Sequence, residues 1–301
     1  MSQAQEESIE AMLREVPIDA GGDLDLQRPL FEEFLRQQPL PEDIRLKDET
    51  LGGAPVVKIV APGAVADRRI LYFHGGVFAF GSARSGAGLA GLLARQARAT
   101  ALSVDDRLAP EHPYPAAIDD SLAAYQGLLE TGVPPAQVAF VGESAGGGLA
   151  LAALVAARLG GLAQPAAAVL FSPWVDLTLS GASMATKAAV DVTLTPDGLR
   201  RRVGDYVGVA DPATSTLSPL FADLRGIAPL LIQAGSYEVL LDDATRLAGA
   251  AAAADVAVQL DVTPGVPHVF QAFAALLDEG GAALSRAGAF LKAHFEPTAL
   301  S

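Results

Sequence analysis

A serine, a histidine, an acidic residue and two glycine-rich turns carry most of the chemistry legible in this sequence. The serine stands in Gly142-Glu143-Ser144-Ala145-Gly146. An apolar run at 138–141 precedes it, and an Ala- and Leu-rich stretch at 145–159 follows. Strand, sharp turn and helix in that order lift a serine hydroxyl clear of the backbone. Small residues flank it because side chains there would strike the neighbouring strand and helix. The free N–H groups and macrodipole of the helix start favour negative charge beside the hydroxyl. A glycine-rich turn that merely caps a helix is the plainer reading, and the flanking strand and helix argue against it.

A serine hydroxyl attacks poorly unless a base takes its proton. His268 lies in Pro264-Gly265-Val266-Pro267-His268, a loop after the last predicted strand, and is the candidate base. His294, near the end of a helix, reads better as a favourable charge at a helix C-terminus. The acid that would orient the base is expected after a strand and before His268. Glu238, just past the apolar run 230–234, fits, with Asp242 and Asp243 as rivals at the start of the next helix. The negative charge of an acyl-transfer intermediate needs N–H donors, each worth about 2.7–4 kcal/mol of barrier. In His74-Gly75-Gly76, after the run 70–73, Gly75 and Gly76 are the candidate donors, with Ala145 as the third. His74 reads as structural, holding this loop through its ring nitrogens. A role for it as general base is the lesser alternative, because it precedes the serine.

These residues need a frame. Apolar runs at 56–60, 70–73, 100–104, 138–141, 167–171, 230–234 and 256–262 predict strands. Helical stretches at 86–98, 116–130, 145–159, 242–253 and 270–294 alternate with them, the last broken near Gly280–Gly281. The alternation predicts a mostly parallel sheet flanked by helices. The chain order serine, acid, histidine is that of the α/β-hydrolase fold. Ile9, Met12, Leu13 and Val16 form one helical apolar face, and Leu30, Phe31, Phe34 and Leu35 a second. Gly21–Gly22 and Pro29 punctuate these helices. A long insertion follows residue 171, with a helix start at Thr195-Pro196-Asp197. Residues 1–45 and an insertion at about 175–215 are each too small for their own core. The expectation is a joint helical cap over one catalytic domain, 46–301.

The 301-residue chain is 50% hydrophobic and 19% charged, which favours one large core over disorder. Its net charge of −14 disfavours nucleic acid and anionic lipid. Absence of cysteine excludes disulfides and thiolate sites. The four histidines contain no H-x-x-x-H pair, so no metal and no cofactor are expected. The acidic N-terminus lacks the pattern of a signal peptide, and 149–159 is too short to span a bilayer. A cytoplasmic protein is the expectation. A homodimer through the open edge of the last strand is compatible with the pattern, which does not require it.

Five segments share a further likeness. HGGVFAFGS from His74, DDRLAPEHPYPAAIDD from Asp105, GESAGGGLA from Gly142, SPWVDLT from Ser172 and GSYEVLLDD from Gly235 resemble the hormone-sensitive-lipase-like esterases, bacterial family IV. The last segment is similar to the branch of monoterpene ε-lactone hydrolases and acetyl-hydrolases. The resemblance implies a capped α/β-hydrolase domain, no cofactor, and cleavage of short- to medium-chain acyl esters or lactones. An amidase, peptidase or acyltransferase is the enzymatic alternative, and a ligand-binding receptor the non-enzymatic one. The sequence departs from the family at Glu238, commonly Asp, and at Asp106, commonly Tyr. Arg107 and Glu111 are expected to form a buried pair, with His112 in the same scaffold. Glu143 is expected to brace the oxyanion loop. Trp174 either lines the acyl pocket or packs beneath the cap.

Overall fold

The apolar runs at 70–73, 100–104, 138–141 and 167–171 become strands buried on both faces, as central parallel strands between two helical layers must be. The computed structural model describes residues 3–16, 18–36 and 40–295. Its strands are β1 (Arg45–Leu51), β2 (Ala54–Val60), β3 (Arg69–Phe73), β4 (Thr100–Val104), β5 (Val138–Glu143), β6 (Ala167–Phe171), β7 (Leu230–Tyr237) and β8 (Val258–Pro267). They form one eight-stranded sheet in the order β1-β2-β4-β3-β5-β6-β7-β8. The pairs β1–β2 and β2–β4 are antiparallel, and the rest are parallel.

Alternation along each strand sorts side chains between two layers. Leu71 and Phe73 of β3 face the core built with α4 (Ala116–Glu130), α5 (Ala145–Leu159) and α8 (Leu241–Ala253). Ile70 and Tyr72 face the other core, with α3 (Ala87–Ala97) and α9 (Asp278–His294). This is the α/β-hydrolase fold.

Further helices gather over the carboxyl ends of the strands. They are α1 (Gln3–Glu15), α2 (Leu24–Arg36), α6 (Ser183–Thr186) and α7 (Pro196–Val207). Thr195 caps α7 by accepting from the Gly198 N–H at 3.1 Å, with Pro196 in the first turn. The N-terminal segment and the insertion touch directly, since Arg202 donates to the Gly22 carbonyl at 2.7 Å.

Four details differ from the sequence-based expectation. β1 carries no apolar run; it is a polar edge strand whose formation depends on pairing with β2. β8 starts later and runs longer than expected, reaching Pro267, because its end stays paired with Tyr237 of β7 across a register shift. The break in the last helix falls before Gly280. A short 3₁₀ turn, Phe270–Phe273, precedes α9, and the Gly280 N–H bonds to Leu277 O as α9 begins. Pro29 sits inside α2 rather than bounding it. Tertiary contacts hold that helix: Arg28 donates to Ala79 O and Ala109 O, and Phe31 packs on Phe80 with ring centroids 5.7 Å apart.

Candidate active site

Ser144 occupies the turn between β5 and α5 with φ 53° and ψ −123°, a backbone region that side chains rarely adopt. Tight packing holds it there. A Cβ on Gly142 would lie 2.1 Å from Gly146 O, and one on Gly146 would lie 2.1 Å from Phe73 O. The flanking glycines are therefore demanded by the close approach of strand and helix. The turn is tied at both ends, Ser144 N–H to Phe171 O at 2.9 Å and Trp174 N–H to Ser144 O at 2.9 Å.

His268 follows β8 and lines the same cavity as Ser144. Its Nδ1 is 2.7 Å from Glu238 Oε2, and both side chains are buried. An ionised carboxylate only accepts, so Nδ1 carries the proton and Nε2 is left to accept one. The second Glu238 oxygen accepts from Gly235 N–H at 3.1 Å, which fixes the carboxylate plane. The next residue, Val269, has φ 50° and donates to Ser172 Oγ at 3.0 Å, anchoring the histidine loop. The rival acids are occupied elsewhere. Asp242 Oδ2 accepts from Ser183 N–H at 3.0 Å. Asp243 is fully buried and accepts from the N–H groups of Val175 and Asp176 at 2.8 and 2.9 Å. Burial pushes the Asp243 carboxyl up to about 8.

The glycine turn after β3 requires a correction. The Gly75 N–H, expected to face an oxyanion, donates instead to Glu143 Oε1 at 2.9 Å. Tyr72 hydroxyl holds the other Glu143 oxygen. Glu143 thus braces the turn, and burial raises its carboxyl against the lowering effect of these bonds. Gly76, at φ 121°, has Phe80 O where a Cβ would go, 2.2 Å away. The N–H groups of Gly76 and Val77 have no protein acceptor among the described residues, and both residues line the cavity. Ala145 is the first residue of α5, so its N–H has no intrahelical partner. Which of two adjacent amides points inward depends on the backbone turn and leaves no mark in composition.

The cavity, about 840 Å³ with its open mouth, is lined mainly by apolar side chains. Leu13, Phe31 and Phe34 come from the N-terminal helices, Leu194 from the insertion, and Phe80, Leu89 and Phe273 from the sheet domain. Trp174 is not in this wall. It is fully buried beneath, with its ring centroid 5.6 Å from that of Phe78. Asp191 escaped the sequence reading. Its carboxylate accepts from Thr193 and Leu194 N–H groups at 2.8 and 2.9 Å and from Val239 N–H at 2.8 Å. It thereby joins the cavity wall to the turn after Glu238; the aspartate two residues before a threonine was its signal.

Arg107 and Glu111 do not pair. Arg107 binds Asp120 of α4 at 2.9 Å, and Glu111 binds Arg28 of α2 at 2.7 Å, both at the surface. The next helix supplies the partner of Arg107, and α2, distant in sequence, that of Glu111. The His112 side chain is exposed, while its backbone N–H closes a turn to Leu108 O at 2.9 Å. His294 Nδ1 lies 2.8 Å from Phe290 O, near the end of α9. Among the described residues no cluster of three or more His, Asp or Glu is placed to hold a metal ion, and no helix is long and apolar enough to cross a membrane.

Known proteins share both sequence and architecture with this chain. Residues 70–272 match a family model described as the alpha/beta hydrolase fold. An acetyl-hydrolase of Streptomyces hygroscopicus is 45% identical over 233 residues, covering 77% of this chain and 78% of that protein. An esterase from the bacterial hormone-sensitive lipase family superposes with a TM-score of 0.95 at 40% identity, covering 98% of this chain and all of the other. EstE5, from a crystal soaked with p-nitrophenyl butyrate, gives a TM-score of 0.93 at 38% identity, over 98% and 99% of the two chains.

Proposed function

Because the chain belongs to the alpha/beta hydrolase family and, within it, to the hormone-sensitive-lipase-like carboxylesterases, we propose that Ser144, His268 and Glu238 form its catalytic triad. The substrates in this reading are short- to medium-chain acyl esters or lactones. The observation that carries it is the His268 ring held through Nδ1 by a buried carboxylate 2.7 Å away, in a cavity shared with a strained serine.

His268 Nε2 takes the Ser144 proton as Oγ attacks the ester carbonyl carbon. The C=O electron pair moves onto oxygen, where the N–H groups of Gly76, Val77 and Ala145 receive it. The intermediate collapses, the bond to the alkoxy oxygen breaks, and His268 returns its proton to the leaving alcohol. Water then repeats the sequence on the acyl-serine, with His268 as base, and releases the acid. For a lactone the leaving alcohol stays tethered to the acyl group, and one hydroxy acid is released.

Glu238 stabilises the imidazolium formed in both steps. The predominantly apolar wall supports an uncharged acyl group as the preferred occupant. Residues 1–45 and the insertion at about 175–215 act as a joint cap that shapes this space. Purified Ser144→Ala is expected to lose hydrolysis of p-nitrophenyl acetate. A rate equal to that of the parent would remove the serine from the mechanism, and a panel of acyl esters, lactones and amides would set the substrate class.

A further inference from the structure

We propose that His74 and Asp106 share a single proton, and that this couple aims the Gly76 N–H into the cavity, making Asp106 a positioning residue for ester hydrolysis. The inference rests on the hydrolase reading above.

His74 Nδ1 lies 2.8 Å from Gly75 O. A carbonyl oxygen only accepts, so Nδ1 carries a proton. The Gly75 carbonyl and the Gly76 N–H belong to the same planar peptide unit and point in opposite directions. Holding the carbonyl therefore fixes where that N–H points. The other side of the ring faces Asp106. Nε2 is 3.3 Å from Oδ1, and both side chains are buried. Neither atom has a hydrogen-bond partner of good geometry.

With a neutral ring and an ionised carboxylate, two lone pairs would confront each other away from water, a costly arrangement. One proton between them satisfies both atoms. The couple thus holds two protons, one directed at Gly75 O and one toward Asp106. The surroundings favour keeping the second. Burial pushes the Asp106 carboxyl up to about 6, opposed by His74, and Asp105 and Asp120 add to the rise. The phenol of Tyr206 on α7 also senses Asp106, and the carboxyl of Glu143 on β5 senses His74. Gly81 leaves the space this ring occupies, since a Cβ built there would come within 2.9 Å of Nδ1. Loss of the shared proton turns attraction into repulsion and loosens the peptide that carries the Gly76 donor.

The test is ¹⁵N NMR of histidine-labelled protein, in which each of the four histidines can be followed separately. His74 is expected to carry protons on both nitrogens at the acid end of the titration and on Nδ1 alone once the couple has lost its shared proton. The kcat for p-nitrophenyl acetate is expected to fall through the same step at unchanged KM. Asp106→Asn, whose amide can donate to a neutral Nε2, is expected to abolish the step in both readouts and to lower kcat less than Asp106→Leu. The leucine variant is expected to lose on the order of tenfold in kcat. A wild-type His74 that stays singly protonated across the range would overturn the proposal. So would an alkaline fall in kcat shared by the wild type and Asp106→Asn. The spectra of the wild-type protein decide the proton count even if the ester-hydrolase reading itself fails.

Discussion

A carboxylate proposed to orient a catalytic ring must first reach it, and Glu238 lies 2.7 Å from the His268 ring. Its two oxygens divide between His268 and the Gly235 N–H. Glu238→Ala is expected to lower kcat on p-nitrophenyl acetate by on the order of 10³–10⁴-fold. Asp242→Ala, which removes a contact to Ser183, is expected to cost far less; the reverse ranking in steady-state assays would reassign the acid. Residue types and chain order made Ser144, Glu238 and His268 legible as candidates. The partners of single amides and guanidinium groups were not legible. Gly75 is engaged by Glu143, Arg107 by Asp120 of the following helix, and Glu111 by Arg28, far away in sequence. Such choices are set by three-dimensional approach within an ångström or two, which spacing along the chain does not encode.

The elements were legible wherever one rule governed them. Strands buried on both faces announce themselves as apolar runs, and β4 and β6 coincide with theirs. β1, with a single buried residue at its end, had no such signal. The elbow is tightly constrained by its neighbours. A Cβ at Gly146 would press on the backbone of β3 rather than on a movable side chain. Gly146→Ala is expected to cost about 1–3 kcal/mol in urea unfolding. It should also reduce kcat by on the order of 10²-fold through displacement of Ser144. At the start of α8, Asp243 ties that helix to the loop after β6. Its carboxyl titrates at about 8 in the fold, against about 3.9 in an unfolded chain. The folded state therefore binds a proton that the unfolded state has released. The stabilisation is fully present below the unfolded value and is lost as pH rises through about 8. Asp243→Asn is neutral at every pH and keeps an accepting oxygen. It is expected to flatten the decline of the urea midpoint across that window; an unchanged slope would refute this role.

For the molecule as a whole, strand–helix alternation foretold the layered sheet. It did not foretell how the N-terminal helices would be moored over it. Arg28 provides that mooring, with bonds to Ala79 O, Ala109 O and Glu111. The ion pair is half exposed and contributes little. The two carbonyl bonds, each worth about 1 kcal/mol, matter more. Phe31 and Phe34 on the same helix line the cavity, so loosening α2 should disturb substrate binding before chemistry. Arg28→Met is expected to raise KM for p-nitrophenyl butyrate several-fold with a smaller change in kcat. A loss confined to kcat would place the mooring in the chemical step instead.

Stoichiometric labelling with a fluorophosphonate, read by intact-mass and peptide mass spectrometry, probes the nucleophile most directly. A single adduct on Ser144, formed in step with loss of esterase activity and suppressed in His268→Ala, is the expected result. An adduct on another residue, or full activity in protein fully labelled at Ser144, would contradict the mechanism.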